Sequence, residues 1–173
     1  GELIIGGYAV EELAPRATFE EVVFLLWHDR LPDLEECEAL RAELARWRAL
    51  PEATVQLLRA IALAEAPVMD ALRMAAGTLD LDLPAEMRTD AGFGKVLVAR
   101  MPTVVATYWR LRQGLAPVAP DPALGHAANY LKMLFGVQPS PAAVRGLETY
   151  LNTVADHGLN ASTFTARVIV ATR

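Results

Sequence analysis

The sequence predicts an all-α fold preceded by a short extended N-terminal segment. Three observations carry that expectation. Apolar residues recur at three- and four-residue spacing along most of the chain. Two capping boxes, Thr18-x-x-Glu21 and Asp33-x-x-Glu36, stand directly before such runs. Prolines and glycines fall mostly between the runs, where helices need start and stop signals.

Element by element, Gly1 to Ile5 reads as a strand. A helix opens at Thr18 with an apolar face at Phe19, Val22, Val23, Leu26 and Trp27, and Pro32 stops it. The next helix opens at Asp33, carries Cys37, Leu40, Leu44 and Trp47 on one stripe, and ends before Pro51. A third follows with Val55, Leu58, Ile61 and Ala62. From Pro67 to Leu79, Leu72, Ala75, Ala76 and Leu79 share a face whose small residues allow close helix approach. Gly77 to Gly94 is rich in Asp, Gly and Pro and reads as a loop. Residues 95–113 form a long apolar helix that Pro102 should kink or cut short. Pro117, Pro120 and Pro122 make 114–124 extended. A helix at His126–Phe135 ends at Gly136. Ser140-Pro141 starts another, with a stripe at Val144, Leu147, Leu151 and Val154 and a left-handed stop at Gly158. A last helix begins near Asn160–Ser162, with Phe164, Val168 and Ile169 apolar.

Composition narrows the class. With 173 residues, 53% of them hydrophobic, the chain suits one domain and can bury enough apolar surface to exclude disorder. Its longest run free of Asp, Glu, Lys and Arg, Met133 to Val144, is broken by two prolines and falls short of the roughly 18 residues of a membrane span. The single cysteine, Cys37, allows no intrachain disulfide, and no Cys/His cluster has metal spacing. Glu2 and Gly6-Gly7 do not read as a signal peptide. These features lead us to expect a cytoplasmic protein. Net charge is −5, yet residues 1–50 hold 11 acids and 5 bases while 101–173 hold 3 and 6. The basic final third would suit a small anion, although solvated helix faces give the same count. No basic stripe with interleaved aromatics is present, which excludes nucleic acid.

Chemistry concentrates at one histidine of three. His28, at a helix end, reads as an exposed turn residue. His126 opens a helix, as a cap or a core contact. His157 closes one helix just before the N-terminus of the next. A helix C-terminus favours imidazolium, and the free N–H groups of a helix N-terminus bind anions. The Asn160 amide can add a donor toward a carboxylate. Together they make a carboxylate pocket, with a capping histidine as the plainer reading. Asp80 and Asp82 lack the further oxygens of a calcium site, and no metal site is expected. Met69, Met74, Met101 and Met133 read as core. No phosphate loop, nucleophile elbow or zinc-protease helix occurs.

Around His157, the run Ala155-Asp-His-Gly-Leu-Asn-Ala-Ser-Thr-Phe-Thr-Ala-Arg-Val168 resembles the A-D-H-x-x-N-A-S-T signature of citrate synthases and 2-methylcitrate synthases. Gly1-Glu-Leu-Ile-Ile-Gly-Gly-Tyr8 with Glu11-Glu-Leu13 is similar to that family's opening, and Phe19 to Leu26 with Leu31-Pro32 to its first long helix. Met69 to Arg73, Met101 to Val105 and Ala127 to Met133 match later segments in order. Four positions depart from the pattern: Gly6-Gly7 replaces Arg-Gly, Val68 and Val154 replace histidines, and Gly158 replaces the commoner Glu.

The resemblance implies a helical large domain, incomplete over residues 1–173, from a longer or truncated polypeptide. It implies condensation of acetyl-CoA with oxaloacetate to citrate and CoA, or of propionyl-CoA in a 2-methylcitrate synthase. A third account is a truncated, non-catalytic module for dimerisation or regulation. His157 and Asn160 would hold oxaloacetate, with no resident cofactor. The family's enol-stabilising histidine, in G-P-x-H-G-G, its base aspartate and its carbonyl-polarising histidine would all lie beyond residue 173. No Gly-Pro-x-His occurs here, so this chain alone would have no catalytic set. The resemblance also implies a homodimer, through the helices matching Val68–Leu79, Lys95–Gln113, Val144–Ala155 and Ser162–Thr172.

Overall fold

The computed structural model describes residues 3–156 and 161–172. The only strands among them form one antiparallel hairpin, with Ile4 opposite Ala9 and Ile5 opposite Tyr8. Its turn uses Gly6 at φ +54° and Gly7 at φ +88°, angles that glycine adopts without strain. A Cβ on Gly6 would also lie 2.6 Å from a methyl of buried Leu25, so position 6 is closed to a side chain unless Leu25 moves. Helices follow: α1 Val10–Leu13, α2 Phe19–His28, α3 Leu34–Trp47, α4 Glu52–Leu63, α5 Val68–Ala76, α6 Asp90–Arg112, α7 His126–Phe135, α8 Pro141–Thr153 and α9 Ala161–Ala171.

The chain divides into two compact units, Gly1–Leu31 with Arg145–Arg173, and Pro32–Val144. In the first, Ile5, Val10, Leu13, Ala14, Ala17, Val22 and Leu25 form the core. Thr18 caps α2: Glu21 N–H donates to Thr18 Oγ1 while the Glu21 carboxylate accepts from Thr18 N–H at 2.6 Å. The capping box is therefore present as expected. The buried face of α2 differs from the expected one. Val22 and Val23 are buried, joined by Phe24 and Leu25, while Leu26 and Trp27 are exposed. The short α1, which was not foreseen, explains the shift: Val10 and Leu13 add apolar surface that covers Val22 and Leu25.

In the second unit α6 is central and packs against α3, α4, α5 and α7. Leu58, Ile61, Ala71, Ala75, Leu79, Val104 and Tyr108 form its core. Asp33 caps α3 with Glu36 in the second capping box. Two expectations for α6 are corrected. It starts at Asp90, because Thr89 Oγ1 accepts from Gly92 N–H at 3.1 Å and so supplies an N-cap inside the expected loop. Gly92 is needed there, since a Cβ would come within 2.7 Å of the Met87 carbonyl in the short 3-10 turn Ala85–Met87. Nor does Pro102 end the helix, which continues to Arg112. Proline removes one backbone donor, but Val96, Ala99, Val104 and Ala106 on both sides are buried, and that burial outweighs the lost bond.

Charged side chains fasten this unit. Arg100, 3% exposed, forks onto Asp82 at 2.7 and 2.9 Å and donates to the Trp47 and Leu79 carbonyls. Arg48, equally buried, donates to the Asp121 and Leu124 carbonyls at 3.0 and 2.7 Å and so pins the proline-rich segment before α7. That segment has no helix or strand, as expected. Lys132 bonds the Asp121 carboxylate at 2.6 Å and holds its pKa below the usual carboxylate value. Of the methionines expected in the core, Met133 is buried, Met74 and Met101 are half-buried, and Met69 is 74% exposed. Ala71 and Ala75 turn the other face of α5 inward.

Candidate functional site

The candidate residues His157 and Asn160 lie outside the described residues, as does the expected stop at Gly158. The structure does describe what stands on either side. Preceding them is α8, whose last helical residue is Thr153. Val154 N–H still bonds the Tyr150 carbonyl at 3.2 Å. Ala155 N–H reaches only Asn152, three residues back, at 3.5 Å. The helix has therefore tightened and ended before His157, which corrects the reading of His157 as its last residue. On the far side α9 begins at Ala161, directly after Asn160. In general the first N–H groups of a helix have no partner within it, which is the anion-attracting half of the expected arrangement.

What holds α8 in place differs from expectation. The stripe Val144, Leu147 and Leu151 is only half-buried and Val154 is exposed. The buried side chains are Glu148, 8% exposed, and Asn152, fully buried. Arg145 Nη1 donates to the carbonyls of Pro15 at 2.9 Å and Ala17 at 3.0 Å, and Arg145 Nη2 to the Glu148 carboxylate. Asn152 Nδ2 donates to Ala17 at 2.9 Å and Ala14 at 3.4 Å, which fixes the orientation of the amide. Sequence reading passed over these residues because they are polar. Their spacing of three, then four, residues was the available signal.

The other two histidines are settled. His28 ends α2 exposed, its ring 4.2 Å from that of Phe24, in agreement with a turn residue. His126 is the core contact of the two readings left open, buried at the start of α7 and not its N-cap, which is Gly125. Burial lowers its pKa to about 3, and the Arg48 guanidinium acts in the same direction. His126 is therefore neutral near pH 7 and carries no charge for an anion. Asp82 is committed to Arg100. Among the described residues no three His, Cys, Asp or Glu side chains converge as a metal site. None of their helices is long and apolar enough to cross a membrane.

The first unit also has an open groove of about 360 Å³, lined by Tyr8, Glu12, Leu13, Arg16, Ala17, Glu21 and Leu31. Glu12 and Glu21 flank its one cation, Arg16, so its charge does not suit a dicarboxylate.

An all-helical chain with a short N-terminal hairpin and the A-D-H-x-x-N-A-S-T run between two helices defines a recognisable class. A family model for the citrate synthase C-terminal domain matches residues 1–173. The chain is 43% identical to citrate synthase 2 of Bacillus subtilis over 170 residues, covering 96% of this chain and 46% of the relative. It is 38% identical to 2-methylcitrate synthase 2 of Corynebacterium glutamicum, with 96% and 46% covered. The crystal structure of citrate synthase from Pyrobaculum aerophilum matches with a TM-score of 0.85 at 38% identity, covering 96% of this chain and 44% of that one. The chain belongs to the citrate synthase family. It spans about half the length of the curated relatives it matches.

Proposed function

We propose that the chain is the oxaloacetate-binding, large-domain portion of an enzyme that joins the acyl carbon next to a CoA thioester to the ketone of oxaloacetate. With acetyl-CoA the products after thioester hydrolysis are citrate and CoA. The observation that carries this reading is the A-D-H-x-x-N-A-S-T run entering α9, within a family match over the whole chain. In this reading His157 donates a charge-assisted hydrogen bond to an oxaloacetate carboxylate. Asn160 adds its amide, and the first N–H groups of α9 add their partial charge. Calorimetric titration of oxaloacetate into wild type and His157→Gln tests it. Loss of one charge-assisted bond weakens binding about 10–100-fold. Unchanged affinity would return His157 to a capping role.

Carbon–carbon bond formation also needs a base for the acyl carbon and donors for the enolate, the base alone contributing about 10²–10⁴-fold. Neither exposed His28 nor neutral, buried His126 stands beside the A-D-H run in sequence, and the family's catalytic motif is absent. Residues 1–173 alone are therefore expected to release no CoA from acetyl-CoA and oxaloacetate. Turnover above the uncatalysed rate would overturn this.

The similarity to a 2-methylcitrate synthase favours a second reading with propionyl-CoA as the acyl donor. Comparing the two thioesters in the complete enzyme decides between them. We further propose a cytoplasmic homodimer. The apolar side chains that α9 leaves exposed, Phe164, Val168 and Ile169, support association. A stable species near 18.8 kDa in light scattering would refute it.

A further inference from the structure

Arg145 and Asn152 stand seven residues apart on α8, about two turns, so they leave the same face of the helix. Both side chains reach one short stretch of backbone between α1 and α2. Of the four carbonyls from Ala14 to Ala17, those of Ala14, Pro15 and Ala17 accept from α8 side chains. Glu148, one turn along from Arg145, accepts from the same guanidinium and so keeps its fork aimed. Bonds from a guanidinium to carbonyls and a carboxylate are charge-assisted and directional, and they fix both the rotation and the height of a helix. Apolar packing would fix neither as tightly, and the apolar stripe of α8 is only half-buried.

The clamp acts on the last turns of α8. The helix ends at Thr153, one residue after Asn152 and four before His157. We propose that Arg145, aimed by Glu148 and assisted by Asn152, is a positioning residue for the oxaloacetate corner. It touches no substrate. It sets the helix end from which the chain enters the A-D-H-x-x-N run. This rests on the assignment of His157 and Asn160 to oxaloacetate. A charge-assisted hydrogen bond weakens steeply as its length and angle depart from ideal, so a loosened clamp should be read in affinity as well as in stability.

The test is titration of oxaloacetate, with thermal melting and circular dichroism, on the purified protein as wild type, Arg145→Met, Arg145→Lys and His157→Gln. Arg145→Met is expected to stay helical and to bind oxaloacetate about tenfold more weakly, part of the worth of one charge-assisted hydrogen bond. Arg145→Lys keeps the cation without the planar fork and is expected to recover part of that loss. A folded Arg145→Met with wild-type affinity and only a lower melting temperature would overturn the proposal. If Arg145→Met does not fold, Arg145→Lys decides: weakened binding supports the positioning role and wild-type binding overturns it. His157→Gln separates the two layers. If it alone weakens binding, the corner stands and the clamp has no part in it. If it binds like wild type, or wild type binds no oxaloacetate, the corner falls and the positioning role with it.

Discussion

Around α6 the buried side chains are mostly apolar or small, Val96, Ala99, Val104, Ala106 and Tyr108 among them, and four other helices cover them. On α8 the buried side chains are Glu148 and Asn152, and the contacts that hold the helix are hydrogen bonds to three carbonyls. On α6 the area removed from water tolerates an internal proline, and the Arg100 bonds to Asp82 and to the Trp47 and Leu79 carbonyls add direction to it. The α8 helix is held by bonds with defined length and direction. Burial in α6 organises its unit, whereas α8 places the end of one element, and the candidate site follows that end.

The comparison breaks most visibly in the apolar core. Leu58 on α4 is fully buried in the cluster with Val104 and Tyr108. Leu58→Ala is expected to cost about 2–5 kcal/mol in urea unfolding, the range for a cavity opened in a packed core. Oxaloacetate affinity of the folded fraction should stay unchanged, unlike that of Arg145→Met.

A second expected outcome concerns pH. Folded His126 stays neutral down to about 3, while in the unfolded chain it takes up a proton near pH 6.5. Between those values the unfolded state binds more protons. Stability is therefore full above about pH 6.5 and falls as pH drops through that window, by up to about 1.4 kcal/mol per unit. Chemical denaturation at stepped pH should show this slope between about pH 5 and 6.5, above the range where most carboxylates titrate. His126→Gln should flatten it, and an unchanged slope would remove His126 as its source.

The smallest effect belongs to a local contact. Thr18→Ala removes the cap of α2 and is expected to cost about 1 kcal/mol, read from the same denaturation curves. A loss as large as that of Leu58→Ala would mean that the cap is coupled to the core of its unit and does not act on α2 alone.

Both capping boxes were legible in the sequence because each is a contact between residues three apart, and its chemistry is complete within one turn. The same holds for the helix stop at Gly136, where φ is +77°. The start of α6 at Asp90 was equally local. It was hidden because Gly92 and Gly94 look like loop residues until the Met87 carbonyl beside Gly92 is known. The candidate site was legible only as a motif: its residues are contiguous, so the run and the adjoining start of α9 could be read without a fold.

Most of the longer helices, the two caps and the family signature were thus determined by the sequence alone, since propensity, capping and motif all act over a few residues, while the short α1 and the first turn of α6 were not. Which face of each helix turns inward was decided by tertiary structure. Leu26 and Trp27 lie on an exposed side because Val10 and Leu13, on another element, cover Val22 and Leu25 instead. Arg145 and Asn152 became the anchors of α8 because the carbonyls of Ala14, Pro15 and Ala17, about 130 residues earlier, were left to accept from them. A periodic sequence states that a helix has two faces. Only the partner surface, which sequence spacing does not encode, selects the one that is buried.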